Sequence, residues 1–256
     1  MIRCRTIAEV RSALAARRRG RIGFVPTMGA LHAGHAALFE AARAECESVV
    51  VSIFVNPTQF GDPADLEQYP REEAADLAVC EHAAVDVVFL PAADEIYPHG
   101  FDTWVDVGAI GTILEGAHRP GHFRGVATVC LKLFNIVGPS VAYFGQKDAQ
   151  QVEVVRRVVR DLNVPLEIRV RPTVRDADGL ALSSRNVRLQ PDDRRRALAL
   201  PRALATHSLE SARAMLRDLD VDYLEIAPFN PPVLAAAIRV GGVRLIDNVV
   251  LEEDRR

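Results

Sequence analysis

The chain has 256 residues, 49% of them apolar and 25% charged, with a formal net charge of −3. That is the balance of a globular protein with room for one large domain, or a large and a small one. It excludes a global basic field of the kind that recruits nucleic acid; no apolar run approaches the roughly 18 residues of a membrane span, and Met1–Arg5 lacks the apolar core of a signal peptide.

Strand and helix patterns alternate along the chain to residue 170. Residues 6–18 place Ile7, Val10 and Leu14 on one helical face, with Thr6 as N-cap and Glu9 three residues on. Ile22–Val25 reads as a short strand and residues 34–46 as a helix. The β-branched run Ser48–Val55 has the composition of a strand buried on both faces. Residues 72–84 read as a helix, Val85–Leu90 as a strand, 125–137 as a helix and Val141–Phe144 as a strand. A helix over 148–162 and a strand over Leu166–Val170 follow. After Pro172 the texture changes: Asp176–Gly179 is a turn signal, helices are expected near 191–206 and 208–218, and β-like runs at Tyr223–Ile226 and Val243–Ile246. The Arg17–Arg19 and Arg194–Arg196 clusters read as solvated helix ends or faces.

This alternation predicts an α/β fold: a Rossmann-like parallel sheet with helices on both faces in residues 1–173. Residues 174–256 are expected to form a smaller C-terminal α+β domain closing over the site. Cys4, Cys46, Cys80 and Cys130 contain no CxxC pair, so neither a zinc ribbon nor a redox motif is expected. Cys46, Cys80 and Cys130 read as buried free thiols, as in a reducing cytoplasm.

Ligands of such sheets bind beyond the carboxyl ends of the strands. Three strand ends here carry polar or Gly-rich residues: Thr27 and Met28, then Asn56–Gln59, then Gly145–Asp148. The first leads into His32-Ala33-Gly34-His35, two imidazoles at the start of an Ala-rich helix. A helix N-terminus offers unpaired N–H groups and a partial positive charge. Gly34 permits close approach, and histidines can follow charge developing on a phosphate. The segment reads as a nucleotide-phosphate site.

Pro26–His35 resembles the signature of the pantothenate synthetase (pantoate–β-alanine ligase) family, within the H-x-G-H nucleotidyltransferases. Further segments match in order: Phe54–Phe60, Tyr69–Arg71, Arg119–Val126, Phe144–Asp148 and Gly179–Asn186. The resemblance covers about residues 20–190. It implies a two-step reaction. ATP and pantoate give pantoyl adenylate and pyrophosphate; β-alanine then attacks the acyl adenylate, giving pantothenate and AMP. A carboxylate is already a competent nucleophile, so alignment and charge stabilisation can supply most of the catalysis.

The same resemblance implies individual roles. His32 and His35 contact the ATP phosphates, with His35 the preferred proton donor. Met28, Gly29, Ala30, Leu31, His32, Ala33, Gly34 and His35 form the nucleotide loop. Gly145, Gln146, Lys147 and Asp148 continue the ATP site, Lys147 neutralising phosphate charge and Asp148 holding ribose or orienting Lys147. Val174 lines the adenine pocket through its backbone. Leu182, Ser183, Ser184 and Arg185 belong to a flexible loop closing over pyrophosphate. Gln59, Gln151 and Asn56 bind pantoate or β-alanine. Arg119 and His122 are candidates for closing the site or for an ordered loop, and Asp76 and Glu115 for outer ligands or supports. Mg²⁺ accompanies ATP, held largely by phosphate oxygens and water. Ala75 stands where some relatives carry an acidic residue, and Gln146 where others carry Glu. A homodimer is implied. Another H-x-G-H nucleotidyltransferase, or a nucleotide-binding regulatory protein without catalysis, remain alternatives.

Overall fold

In a computed structural model, which describes residues 1–251, the chain divides into two compact units. The first comprises Met1–Phe144 and Val154–Arg171; the second comprises Gly145–Glu153 and the residues from Pro172 onward.

The first unit is built on six strands: β1 (Ile2–Cys4), β2 (Ile22–Thr27), β3 (Ser48–Ile53), β4 (Val87–Phe89), β5 (Val141–Gly145) and β6 (Glu167–Arg171). They form one parallel sheet in the order β1-β4-β3-β2-β5-β6. The connecting helices in chain order are α1 (Ile7–Ala15), α2 (Ala33–Glu45), α3 (Pro63–Glu67), α4 (Glu73–His82), α5 (Ala93–Ile96), α6 (Glu115–His118), α7 (His122–Val137) and α8 (Ala149–Asp161). α1 carries the expected cap: Thr6 Oγ1 accepts the Glu9 N–H at 3.2 Å while the Glu9 carboxylate accepts the Thr6 N–H at 3.0 Å.

Side-chain alternation in the strands explains the two helical layers. Val25, Val49, Val51, Val88 and Tyr143 face α2 and α4 through Leu38, Phe39, Leu77 and Cys80. The residues between them face the other way; there Phe24 meets Phe134 of α7 edge-on, with ring centroids 6.3 Å apart. β3 is buried on both sides, as its β-branched run predicts. All four cysteines are free and buried. Burial pushes the Cys80 and Cys130 thiols up to about 12, so neither supplies a thiolate near neutral pH.

Asp86, just before β4, ties three elements. Its carboxylate accepts from Arg17 at 3.0 Å, from Arg43 of α2, and from the Val49 N–H at 2.8 Å. Burial raises its pKa, but the Arg43 and Val49 hydrogen bonds and the charges of Arg43 and Arg17 outweigh it, and the net shift is downward. A lowered folded pKa stabilises above the unfolded value and loses that stability as pH falls through the folded one. Asp86→Asn should therefore cost about 2 kcal/mol at pH 7, between exposed and fully buried pairs. The cost should shrink as the pH falls from 7 through the lowered folded value. Urea unfolding across an acid pH series checks this.

The second unit packs α9 (Pro191–Ala197), α10 (Ala199–Leu204) and α11 (Leu209–Leu216) on an antiparallel sheet. Its strands are β7 (Asp220–Ala227), β8 (Val233–Val240) and β9 (Val243–Val250), in that order. The single helix expected near 191–206 is thus two helices meeting at Leu198. Pro201 explains the break: without an N–H it cannot sit deep in a helix and is placed in the first turn of α10.

Candidate active site

Thr27 closes β2 and sets the turn after it. Its hydroxyl donates to the Ser52 carbonyl at 2.7 Å and accepts the Gly29 N–H at 3.2 Å. Gly29 and Ala30 then adopt left-handed φ values of 84° and 51°. A side chain at Gly29 meets two obstacles, this φ and the Asp76 carboxylate, whose Oδ2 lies 2.8 Å from where Cβ would be. At Ala30 the left-handed backbone costs on the order of 1 kcal/mol. Asp76 offsets that cost. It lies on the first turn of α4, 3% exposed, and accepts the Ala30 N–H at 3.1 Å and the Leu31 N–H at 2.7 Å. Of its two sequence-based readings, ligand or support, these two hydrogen bonds favour the support.

α2 begins with a cap made of two imidazoles. His32, extended at the N-cap, accepts the Gly34 N–H on Nδ1 at 3.1 Å; His35 accepts the His32 N–H on its own Nδ1 at 3.2 Å. The rings lie 4.2 Å apart, tilted by 46°. They take the places that Ser or Thr and Glu or Gln hold in an ordinary capping box. Gly34 makes room for this, since a Cβ there would sit 2.9 Å from His32 Cε1. A ring nitrogen that accepts a backbone N–H carries no proton, so each neutral ring holds its proton on Nε2. Two Nε2–H donors therefore stand at the positive end of α2.

At the end of β3 the chain turns through Pro57–Gln59, capped by Asn56. Asn56 and Gln59 are 1% and 7% exposed, a burial that demands internal partners. Asn56 Nδ2 donates to Gln59 Oε1 at 2.9 Å, and Gln59 Nε2 reaches Met28 Sδ at 3.1 Å. These contacts bring Asn56 and Gln59 to the nucleotide loop. Arg119 and His122 act on the backbone of this turn. The Gln59 carbonyl accepts from His122 Nδ1 at 2.8 Å and from Arg119 Nη2 at 3.3 Å. Glu115, 5% exposed, pairs with Arg119 at 3.7 Å. These contacts are those expected of residues that order a loop. A cavity of about 310 Å³ opens at the ends of β2, β3 and β4, lined by Met28, Phe54, Val55, Arg71 and Asp76 among others.

In the second unit, Gly145 leads into the turn Gln146–Asp148, with Lys147 Nζ 3.9 Å from Asp148 Oδ1. Asn248 of β9 grips this turn. Its Nδ2 donates to the Gln146 and Lys147 carbonyls at 2.9 Å each, and its Oδ1 accepts Gln146 Nε2 at 3.1 Å. Gln146 can make that last bond only as an amide, because a carboxylate has no hydrogen to donate. Asp247 accepts Arg175 at 2.6 and 3.1 Å and the Asn248 N–H at 2.8 Å. Sequence reasoning passed over Asp247 and Asn248; their signal is an adjacent polar pair inside an apolar strand. Gln151 is half-buried in the first turn of α8. The Val174 carbonyl accepts the Leu182 N–H at 3.0 Å. Ser183 caps the turn Ser184–Arg188, its Oγ accepting the Arg185 N–H at 3.2 Å. The segment expected as a flexible loop thus has a capped turn. Among the described residues, no three His, Cys, Asp or Glu side chains gather as a metal site, and no helix is long and apolar enough to cross a membrane.

Comparison with known proteins supplies an independent line. The family model described as pantoate-beta-alanine ligase matches residues 3–250. The pantothenate synthetase of Chloroflexus aggregans is 52% identical, over 96% of this chain and 98% of that one. Pantothenate synthetase 1 of Bradyrhizobium diazoefficiens is 52% identical over 96% of each. Among solved structures, pantothenate synthetase from Thermus thermophilus superposes with a TM-score of 0.92 at 46% identity, over 98% of this chain and 99% of that one. The Francisella tularensis pantoate-beta-alanine ligase, complexed with beta-gamma ATP and β-alanine, superposes with a TM-score of 0.88 at 38% identity, over 98% and 97% of the two chains.

Proposed function

The chain belongs to the pantoate–β-alanine ligase family, and we infer that it condenses pantoate with β-alanine, driven by ATP. The pantoate carboxylate attacks the α-phosphorus, the bond to pyrophosphate breaks, and pantoyl adenylate forms. The β-alanine amine then attacks the acyl carbon and AMP leaves.

The observation that carries this reading is the double-histidine cap. Each Nδ1 is committed to a backbone N–H, so each Nε2–H is a preset donor. Such donors can follow the charge that develops on phosphate oxygens, without reorganising at the moment of reaction. His32 and His35 are assigned to the phosphates on this ground, with Met28–His35 as the nucleotide loop. Gly145–Asp148, Val174 and Leu182–Arg185 are assigned to ATP by the family resemblance. Asn56, Gln59 and Gln151 are assigned to pantoate, where amides hold a hydroxy acid without adding charge beside its carboxylate. Mg²⁺ fits as a companion of the triphosphate, held by phosphate oxygens and water. Asp76 is already engaged by amides and Ala75 offers no donor. A homodimer in the cytoplasm completes the proposal, its mass open to sedimentation.

Pyrophosphate release is expected only when ATP, Mg²⁺ and pantoate are all present. AMP release should follow when β-alanine is added. Pantoate-independent pyrophosphate release by the folded protein would overturn the reading.

A further inference from the structure

Tyr97, which follows α5, has a ring fixed by its neighbours. Phe101, Phe54 and Trp104 lie 5.0, 6.2 and 6.5 Å from it between centroids, and Lys132 Nζ lies 5.7 Å from its centre. Its hydroxyl donates to Asn56 Oδ1 at 2.8 Å. Burial pushes the phenol's pKa up, so the group stays an O–H donor. The same Oδ1 accepts Thr58 Oγ1 at 2.9 Å and the Thr58 N–H at 3.3 Å. A backbone N–H can only donate, so this is the carbonyl end of the Asn56 amide.

The polarity then passes along the network. With Oδ1 engaged, Asn56 turns Nδ2 to Gln59 Oε1 at 2.9 Å and to the Gly125 carbonyl at 3.4 Å. Gln59 therefore has its oxygen occupied and directs Nε2 the other way, where it meets Met28 Sδ at 3.1 Å. A thioether is a weak acceptor, readily exchanged for a ligand oxygen. The hydroxyl and carboxylate oxygens of a hydroxy acid are the acceptors that an N–H₂ group matches.

We propose that Tyr97 is a positioning residue for acid-substrate recognition, acting through Asn56 to hold the Gln59 amide with its N–H₂ end toward pantoate. This rests on the reading that Gln59 contacts pantoate, and the test separates the two. Tyr97→Phe keeps the ring stack and removes only the O–H. It should raise the KM for pantoate about fivefold, the worth of one hydrogen bond, with kcat and the KM for ATP unchanged. Combined with Gln59→Ala, Tyr97→Phe should add nothing to the pantoate KM of Gln59→Ala alone.

An unchanged pantoate KM in Tyr97→Phe, beside a raised one in Gln59→Ala, overturns the proposal and leaves the Gln59 reading standing. So does an equal Tyr97→Phe effect in both backgrounds, or a parallel rise in the ATP KM, which a purely structural role would give. If Gln59→Ala itself leaves the pantoate KM unchanged, the assignment of Gln59 falls, and the proposal with it.

Discussion

Replacing His35 by asparagine should lower pantoate-dependent pyrophosphate release by on the order of 10³-fold, as loss of a single preorganised donor does elsewhere. The substitution separates the two nitrogens of the ring. Asparagine Oδ1 lies about where Nδ1 does, so it can still accept the His32 N–H that His35 now takes at 3.2 Å. Nothing in the shorter side chain reaches the Nε2 position. The cap should therefore survive while the phosphate donor is lost. His35→Ala removes both. It should match the rate loss and add about 1 kcal/mol of destabilisation from the missing cap, a fall of about 2–4 °C in Tm for a chain of this size. Pyrophosphate assays and thermal unfolding of both variants check this. Adenylation by His35→Asn at the native rate would remove His35 Nε2 from the mechanism.

What could be read in the sequence follows from where its signals are local. β3 was legible because a strand buried on both faces has a continuous β-branched run, and α1 because Thr6 and Glu9 close a cap within one turn. β8 was not. Its Val-Leu-Ala-Ala-Ala-Ile run has weak strand propensity at the alanines, and pairing with β7 and β9 on both sides overrides it. β1 was missed because three residues carry too little pattern, though it pairs with β4 along its whole length.

The candidate site divides the same way. His32 and His35 were legible because motif and helix start coincide in the chain. Their shared cap was not, because a histidine pair is not a usual capping box. Asn248 lies 101 residues from Lys147 in sequence yet fixes its carbonyl. Only the meeting of β9 with that turn gives Asn248 a role.

Asp76 was open to two readings for the same reason, and replacing it should have the second large effect. Alanine there would leave the Ala30 and Leu31 N–H groups without the carboxylate that accepts them at 3.1 and 2.7 Å. Each part-buried amide left unmade costs about 1–3 kcal/mol. The left-handed backbone at Gly29 and Ala30 would meanwhile lose the anchor that holds it. Asp76→Ala is therefore expected to destabilise by about 3 kcal/mol. Asp76→Asn should cost less, because its one oxygen can still satisfy one amide, although its N–H₂ opposes the other.

The loss in catalysis should be about as large as the loss in stability. The loop carries His32 at its end, and a displacement of about 1 Å there can cost on the order of 100-fold in rate. Urea titration and the kcat/KM for ATP measure the two effects on the same preparations. Raising Mg²⁺ distinguishes the clamp from a metal ligand. A variant that has lost a ligand regains rate as the ion is forced on by mass action. A variant that has lost a clamp does not, because excess ion cannot restore the path of Gly29 and Ala30. No rescue by Mg²⁺, with lowered stability, is the expected result; full rescue at native stability would make Asp76 a ligand after all.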